Sequence, residues 1–286
     1  MEGEINIGVT MLGSLLYADD LVLIADTQDS LQNNINQFNK RCREFGMKIS
    51  VKKTKVMRIS KTPGKVECYI DQEIIEQTDR FTYLGCIFSE DGKFDKEVAN
   101  RISKAGGVSA QLRNTVFSKK EVSSKTKLSV HRAVFRPTLM YGSESWIDNG
   151  NFISKMEVAD MRVLRMISGV NRWNQWQENI SNDRIREDLI VNSVEEAATQ
   201  ARLRWWGHVQ RMGEHRLPQQ LLNSQLEGKR GRGRPRRRWE DSVGNDLDLK
   251  GLSWDEARKL AGDRGKWRRC VRSGDIVERC KAKSTY

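Results

Sequence analysis

Two adjacent acidic residues, Asp19 and Asp20, lie between two apolar runs near the start of the chain. The flanking residues 15–16 and 21–25 are apolar or small, which predicts two buried strands with the aspartates at the reversal between them. Carboxylates held in this way are ligands that a hard divalent ion such as Mg²⁺ accepts, and pairs of such ions catalyse phosphoryl transfer. Two acids at a turn are also common as simple polar surface, so the residue types leave both interpretations open.

The elements that must hold this hairpin follow in a pattern typical of an α+β fold. Apolar residues spaced by three and four predict a helix that ends before Gly46, a residue type favoured just past helix ends. Alternation over 47–51 then predicts a strand, residues 66–70 and 74–75 a short hairpin, and residues 81–88 a further strand. The predicted helix face comprises Leu31, Ile35, Phe38, Cys42 and Phe45.

From residue 93 onward the apolar spacing becomes helical. Successive faces are predicted near residues 98–105, 128–135 and 152–167, with Pro137 breaking the second. A longer helix is predicted over 194–212. The sequence Ser253-Trp254-Asp255-Glu256 has the form of a capping box, so a last helix should run from Trp254 to about Val271.

Positive charge is concentrated in the last third of the chain. The formal net charge is +12 over 286 residues. Residues 200–286 contain 22 Lys and Arg against 11 Asp and Glu, or +11, and the remainder contains 28 against 27, or +1. Clustered charge of this kind favours a polyanion, above all the phosphate backbone of DNA or RNA, over a merely solvated surface.

The densest part of this charge is a Gly- and Arg-rich segment, residues 228–238, that cannot form a core. Its cations, predicted to bind nucleic acid, are Lys229, Arg230, Arg232, Arg234, Arg236, Arg237 and Arg238. The central Arg-Gly-Arg-Pro sequence also resembles an AT-hook, which places arginines in the narrow minor groove of A·T-rich DNA. A nonspecific phosphate-binding arm and a nuclear localisation signal remain equal alternatives.

Other classes of protein are less well supported. The five cysteines follow no disulfide framework, which suits a reducing compartment. A zinc site formed by His208, His215, Cys270 and Cys280 lacks the spacing of known zinc motifs. No apolar run is long enough to span a membrane, and no signal peptide is evident. We therefore expect an intracellular protein of the nucleus or cytoplasm, without a membrane partner and with no protein partner evident.

The residues around the aspartates resemble the catalytic hairpin of reverse transcriptases. Tyr17-Ala18-Asp19-Asp20 followed by Leu-Val-Leu-Ile-Ala is similar to the form found in non-LTR (LINE-type) retrotransposons. Residues 46–55 resemble the next motif of that family, although Ser50 replaces the usual Asn. Residues 81–85 resemble the motif that grips the primer, residues 136–142 the thumb, and residues 203–212 with 233–241 the carboxy-terminal region of these elements.

The resemblance implies a division of the chain and a role for each matching residue. Residues 1–92 would be the later part of a polymerase palm, built of β-hairpins and a helix. Residues 93–148 would be a helical thumb, 149–227 a helical carboxy-terminal region, and 228–286 the basic arm and final helix. The implied site residues are the metal ligands Asp19 and Asp20, Tyr17 near the primer end and nucleotide, Lys53 near the triphosphate or pyrophosphate, and Tyr83, Leu84 and Gly85 on the primer.

The resemblance also implies Mg²⁺ as cofactor and an RNA template with a DNA primer as partners. The family's other metal-binding aspartate belongs to a motif that precedes the hairpin, and the residues before Tyr17 contain only Glu2 and Glu4, in no matching motif. We therefore expect a carboxy-terminal fragment of an RNA-directed DNA polymerase that does not polymerise alone. The alternative is a non-enzymatic nucleic-acid-binding protein derived from a retroelement.

Overall fold

The structure, a computed structural model, describes residues 5–7, 10–60, 62, 64–147, 150–224 and 237–274. These residues divide into two compact units, which are described separately. The first contains the described residues within Met1–Lys93 and Met212–Pro235, and the second those within Phe94–Arg211 and Arg236–Tyr286.

The first unit contains short hairpins and a long helix, α1 (Gln28–Glu44). Thr27 caps this helix, because its side-chain oxygen accepts a hydrogen bond from the Ser30 backbone N–H at 3.2 Å. Gly46 follows the helix at a φ of 69°, the left-handed conformation that glycine adopts without strain. The predicted helix and its glycine stop are therefore confirmed, although Phe38 and Phe45 of the predicted apolar face are exposed.

All the sheets among the described residues have two strands. Four are antiparallel hairpins and one, between β5 and β8, is a parallel pair. The strands are β1 (Ile5–Ile7), β2 (Thr10–Leu12), β3 (Ser14–Tyr17), β4 (Asp20–Leu23), β5 (Lys55–Val56), β6 (Tyr69–Ile70), β7 (Glu73–Ile74), β8 (Glu76–Gln77), β9 (Arg80–Tyr83) and β10 (Cys86–Ser89).

Helix α1 is held against the β6–β7 hairpin by polar side chains. The side-chain amide of Gln32 accepts from the backbone N–H of Tyr69 at 2.7 Å and donates to its carbonyl at 2.9 Å, in place of a neighbouring strand. Asp71, in the hairpin turn, accepts from Asn39 and forms an ion pair with Arg43. The hydrogen bond from Arg43 is the main reason that the pKa of Asp71 lies below its ordinary value.

A small apolar core lies under these contacts. Its buried residues are Ile35, Val56, Cys68, Ile70 and Ile75. The strand predicted over 47–51 is absent. Instead the chain forms one helical turn in which the Thr54 backbone N–H donates to the Ser50 carbonyl at 3.0 Å. The alternation was misleading because Ile49 and Val51 reach the core from this irregular segment.

The second unit is helical. Its helices are α2 (Asp95–Leu112), α3 (Ser124–Val130), α4 (Arg136–Leu139), α5 (Asn151–Ser168), α6 (Arg172–Gln177), α7 (Asn182–Leu189), α8 (Val194–Gln210), α10 (Trp239–Leu249), α11 (Trp254–Gly262) and α12 (Arg264–Arg272), while α9 (Leu217–Asn223) belongs to the first unit. One core runs from Val98 to Val194, so residues 93–148 and 149–194 pack together rather than as separate bodies.

Two helix boundaries differ from expectation. Pro137 does not end its helix: α3 continues through a π-helical turn, His131–Phe135, into α4, and Pro137 is the second residue of α4, directly after this turn. The last helix is interrupted at Asp263, which caps the start of α12 with its carboxylate. The Ser253 capping box at the start of α11 is confirmed.

Within the described ranges, no helix is both long and apolar enough to cross a bilayer.

Candidate functional site

The two adjacent aspartates lie at the tip of the β3–β4 hairpin, as the sequence predicts. Tyr17 pairs with Asp20 across the hairpin, so Ala18 and Asp19 form a two-residue turn. Ala18 has a φ of 52°, a left-handed conformation that costs a residue with a Cβ some strain. The hairpin turn is therefore tight, and it fixes the backbone of both aspartates relative to each other.

The hairpin is more exposed than its apolar sequence predicts. Leu16 is 71% exposed and Tyr17 64% exposed. At the other end the hairpin is anchored, because the Ile24 backbone N–H donates to the Gly13 carbonyl at 2.8 Å and Leu23 packs against the core under α1. The prediction of two buried strands was wrong for the tip, since a two-stranded sheet leaves both of its edges and much of its faces uncovered.

Asp19 and Asp20 are the residues for which the sequence predicts a divalent-ion site. Both are exposed. Among the described residues, no three carboxylate, imidazole or thiol side chains are grouped closely enough to hold a metal ion. Two neighbouring carboxylates leave most of the six oxygen positions of Mg²⁺ to other ligands. The described residues therefore do not form a complete magnesium site.

Lys53 and the predicted primer-binding residues lie on other elements of the first unit. Lys53 is exposed in the helical turn after α1. Within the described ranges, no hydrogen bond or ion pair joins it to Asp19 or Asp20. The structure thus places Tyr17, Asp19 and Asp20 on one hairpin and Lys53 on a different element of the first unit.

Residues 81–88 form a hairpin rather than the single strand that was predicted. Leu84 and Gly85 make a two-residue turn between β9 and β10, with φ values of 48° and 81°. Two left-handed residues in succession are what the favoured two-residue hairpin turns require, and glycine meets that need without strain. Tyr83 lies just before the turn, with its ring 6.5 Å from that of Phe88 across the hairpin. The predicted primer-binding residues therefore form a hairpin tip.

Most of the basic arm lies outside the described residues. Arg237 and Arg238 are described and are exposed. The backbone N–H of Arg238 donates to the Asp241 carboxylate at 2.6 Å, so Arg238 caps helix α10. The cations that lie outside the described residues are Lys229, Arg230, Arg232, Arg234 and Arg236.

The motif over residues 136–142 is explained by packing in the second unit. Arg136 donates to Asp160 at 3.1 Å, and His131 lies 2.7 Å from the other oxygen of the same carboxylate. His131 and Asp160 are fully buried, so His131 packs between helices as expected. Leu139 is in the core, and the guanidinium of Arg101 lies 4.6 Å above the ring of Tyr141.

The Trp205-Trp206-Gly207-His208 sequence is also largely structural. Trp206 is 1% exposed and packs on Trp267 with ring centroids 5.2 Å apart. Gly207 lies against the same indole, where an added Cβ would come 2.0 Å from its Nε1 atom. Trp205, by contrast, is 38% exposed and lies beside His208. The expectation that the tryptophan pair is core therefore holds for Trp206 and not for Trp205.

Comparison with known proteins relates this hairpin to polymerases. Residues 7–88 match the family described as reverse transcriptase (RNA-dependent DNA polymerase). Over 268 residues the chain is 25% identical to a Caenorhabditis elegans protein described as an uncharacterized transposon-derived protein, covering 91% of this chain and 95% of that protein. A match of that extent must continue well beyond residue 88 into the helical unit.

These similarities agree with the resemblance predicted from the Tyr17–Asp20 hairpin. Residues 7–88 are similar to reverse transcriptases, and most of the chain is similar to a transposon-derived protein. Reverse transcriptases bind a template and a primer and use Mg²⁺. The segment includes the hairpin with both aspartates, Lys53, and the Tyr83–Gly85 turn.

Proposed function

We propose that residues 7–88 correspond to the part of a non-LTR (LINE-type) RNA-directed DNA polymerase that contains the paired aspartates. The observation that carries this proposal is the position of Asp19 and Asp20 at the tip of a tight, exposed hairpin inside the segment that matches reverse transcriptases. The transposon-derived relative from Caenorhabditis elegans supports an origin in a mobile element.

Each hairpin residue has a proposed role that its position allows. Asp19 and Asp20 are proposed to hold a divalent ion once further ligands are supplied. Tyr17 is proposed to contact the primer end or the incoming nucleotide, and its exposed ring is accessible to either. Lys53 is proposed to approach the triphosphate or the leaving pyrophosphate, for which an exposed ammonium group is suited.

The second hairpin tip is proposed to position the primer strand. Leu84 is 41% exposed and Tyr83 is half-buried, so the turn offers an apolar edge flanked by backbone groups. Gly85 permits the left-handed turn that projects this edge. Contacts of this kind act on the sugar and backbone of a strand and need no particular base sequence.

The second candidate function is nucleic-acid binding without catalysis. It is favoured by the +11 charge of residues 200–286 and by the two-carboxylate hairpin, which needs further ligands before it can hold Mg²⁺. We therefore propose that the 286-residue chain binds nucleic acid through its basic region and does not extend a primer by itself. Both candidates share the binding step and differ only in the chemistry.

Primer extension tests this proposal. The purified chain is incubated with an annealed primer–template, Mg²⁺ and deoxynucleotides, and binding is followed in the same sample by a gel shift. We expect binding at low salt and no extension. Asp19→Ala and Asp26→Ala serve as a matched pair, because both remove an exposed carboxylate and only Asp19 is at the hairpin tip.

Two results would contradict the proposal in different ways. Extension that is lost in Asp19→Ala and kept in Asp26→Ala would show that the chain is a complete polymerase. Failure to bind the primer–template at low salt would remove the binding function that both candidates share.

A further inference from the structure

Helix α12 has one strongly basic face. Arg264, Arg268 and Arg272 are four residues apart, which aligns them on one side of the helix, and no acidic residue lies between Arg264 and Arg272. The adjoining side of the helix is apolar and buried, since Trp267 is 2% and Val271 1% exposed. Like charges at this spacing destabilise a helix in isolation. An external anion would relieve that repulsion.

Helix α12 is fixed to α8 by the buried indole of Trp267. Its Nε1–H donates to the Leu203 carbonyl at 2.9 Å, and its ring packs on Trp206 and against Gly207. The contact is too close to allow sliding, because an added Cβ on Gly207 would already overlap the indole. The register of α12 on α8 therefore determines which surface residues of the two helices are neighbours.

The register places further positive charge beside the α12 face. The pKa of Arg204 on α8 is lowered mainly by partial burial; the carboxylate of Glu144 opposes this shift, and the positive charges of Arg268 and Arg272 add to it. Arg204 directly follows Leu203 and Arg268 directly follows Trp267, so the hydrogen bond from Trp267 to Leu203 holds the two arginines at neighbouring positions. The single acid in this group, Glu144, leaves an excess of positive charge.

An exposed aromatic ring lies on the same side of α8. His208 is one helical turn after Arg204, and its ring is 5.6 Å from that of Trp205. Trp205 is 38% exposed, although its neighbour Trp206 is buried. A surface therefore extends from the α12 arginines across Arg204 and His208 to an indole ring.

We propose that this α8–α12 basic surface binds single-stranded nucleic acid, with backbone phosphates on Arg204 and Arg268 and an unpaired base stacked on Trp205. Cations beside an exposed aromatic ring are the combination that single strands use, because every base has a stacking face. A membrane surface fits less well, since the apolar side of α12 is already buried against α8. The surface includes none of residues 228–236 of the basic arm.

The inference rests on the proposed nucleic-acid binding and deepens it by naming a surface and the kind of strand that it binds, and the experiment separates the two. A fluorescently labelled oligothymidylate of about 20 nucleotides is titrated with the full chain in which Arg232, Arg234 and Arg236 are changed to alanine. This background retains four of the seven arm cations, so the contribution of the α8–α12 basic surface is read from the difference between test and control variants made in the same background. Arg204→Gln with Arg268→Gln is the test variant, and Arg113→Gln with Lys119→Gln is a control of equal charge change on exposed residues elsewhere in the second unit.

We expect the test variant to weaken binding by at least tenfold at low salt. The slope of log affinity against log salt should fall by about 1.4, since each phosphate contact on a single strand contributes about 0.7. Trp205→Ala should weaken oligothymidylate binding by roughly tenfold or more and affect a duplex of equal length less. The control variant should bind like its parent, and unchanged thermal unfolding should show that the test variants fold.

The proposal is overturned if the test variant binds oligothymidylate as the control does. It is also overturned if Trp205→Ala weakens duplex and single strand equally, or if the surface binds phosphatidylserine vesicles and not the oligonucleotide. In each case the extension and binding assays on the unaltered chain still decide the proposed function independently.

Discussion

Gly207 shows how one absent side chain determines the packing of two helices. Its Cα hydrogen faces the indole of Trp267, and any Cβ there would come within 2.0 Å of the ring nitrogen. Moving the indole away would cost free energy, because it also donates a hydrogen bond to the Leu203 carbonyl and packs on Trp206. The glycine is therefore required by close approach, and not by its backbone conformation.

We predict that Gly207→Ala destabilises the chain by about 1–3 kcal/mol, the usual cost of forcing an extra methyl group into a packed core. Gly106→Ala is the matched control, because Gly106 lies within helix α2 and an added Cβ meets nothing within 4 Å. That change should stabilise by about 0.5–1 kcal/mol, since alanine loses less backbone entropy than glycine in a helix. Urea unfolding measures both. Equal effects of the two substitutions would contradict the packing described at Trp267.

Asp263 at the start of α12 gives a second prediction at this scale. Its carboxylate accepts backbone hydrogen bonds from Lys266 at 2.9 Å and Gly265 at 2.8 Å. These hydrogen bonds lower the pKa of Asp263 below its ordinary value of 3.8, and the bond from Lys266 has the larger effect. Because the folded pKa is the lower one, the stabilisation is present above pH 3.8 and is lost as the pH falls through the folded value.

Two substitutions of Asp263 distinguish the effect of its negative charge from the effect of its capping hydrogen bonds. Asp263→Asn should keep the capping acceptor and remove the acid-dependent loss, while Asp263→Ala should lower the unfolding midpoint at neutral pH as well. The measurement is the denaturant midpoint between about pH 3 and pH 7. A wild-type midpoint that falls with acid no more steeply than that of Asp263→Asn would show that the cap is not formed.

At the scale of elements, local patterns predicted the helices better than the sheets. Helix α1, α5 and α8 were predicted because an apolar stripe, a glycine stop or a capping serine is present in each. The prediction of a strand over residues 47–51 was wrong, because alternate residues of an irregular segment can also face a core. The break at Asp263 was missed because Trp267 and Val271 continue the apolar spacing of α11 after the interruption.

The candidate site was predictable to a similar extent. The hairpin and its turn follow from two apolar strands around Tyr17–Asp20, and its family likeness is confirmed. The exposure of Leu16 was not predictable, because a short sequence does not say how many strands a sheet will have. The proximity of Arg204 to Arg268 was not predictable either, since it depends on how α12 packs on α8. The four-residue spacing of the α12 arginines indicates only that this helix has a basic face.

At the scale of the whole molecule, the two ends of the sequence differ in chemical character. The match to reverse transcriptases covers residues 7–88, while the positive charge is concentrated after residue 200. The transposon-derived relative matches along 91% of the chain, so both parts are shared with that protein. The central claim is that the basic region binds nucleic acid through its phosphates, whatever chemistry the hairpin performs.

The salt dependence of duplex binding tests that claim most directly. The basic arm contains seven cations and no acid from Lys229 to Arg238. If about four to six of them contact phosphates, the slope of log affinity against log salt should be near −4 to −5, and affinity should fall roughly a hundredfold or more between about 50 and about 200 mM salt. Comparing the affinities for an A·T-rich and a G·C-rich duplex of equal length also tests the AT-hook alternative.

The decisive comparison is with a variant in which five of the six arm arginines are alanine. The substituted residues are Arg232, Arg234, Arg236, Arg237 and Arg238. The account predicts that this variant loses most of its duplex affinity and that its salt slope flattens by several units, because each lost contact removes about 0.9. Duplex binding of the same strength and the same salt slope in the variant and the unaltered chain would contradict it.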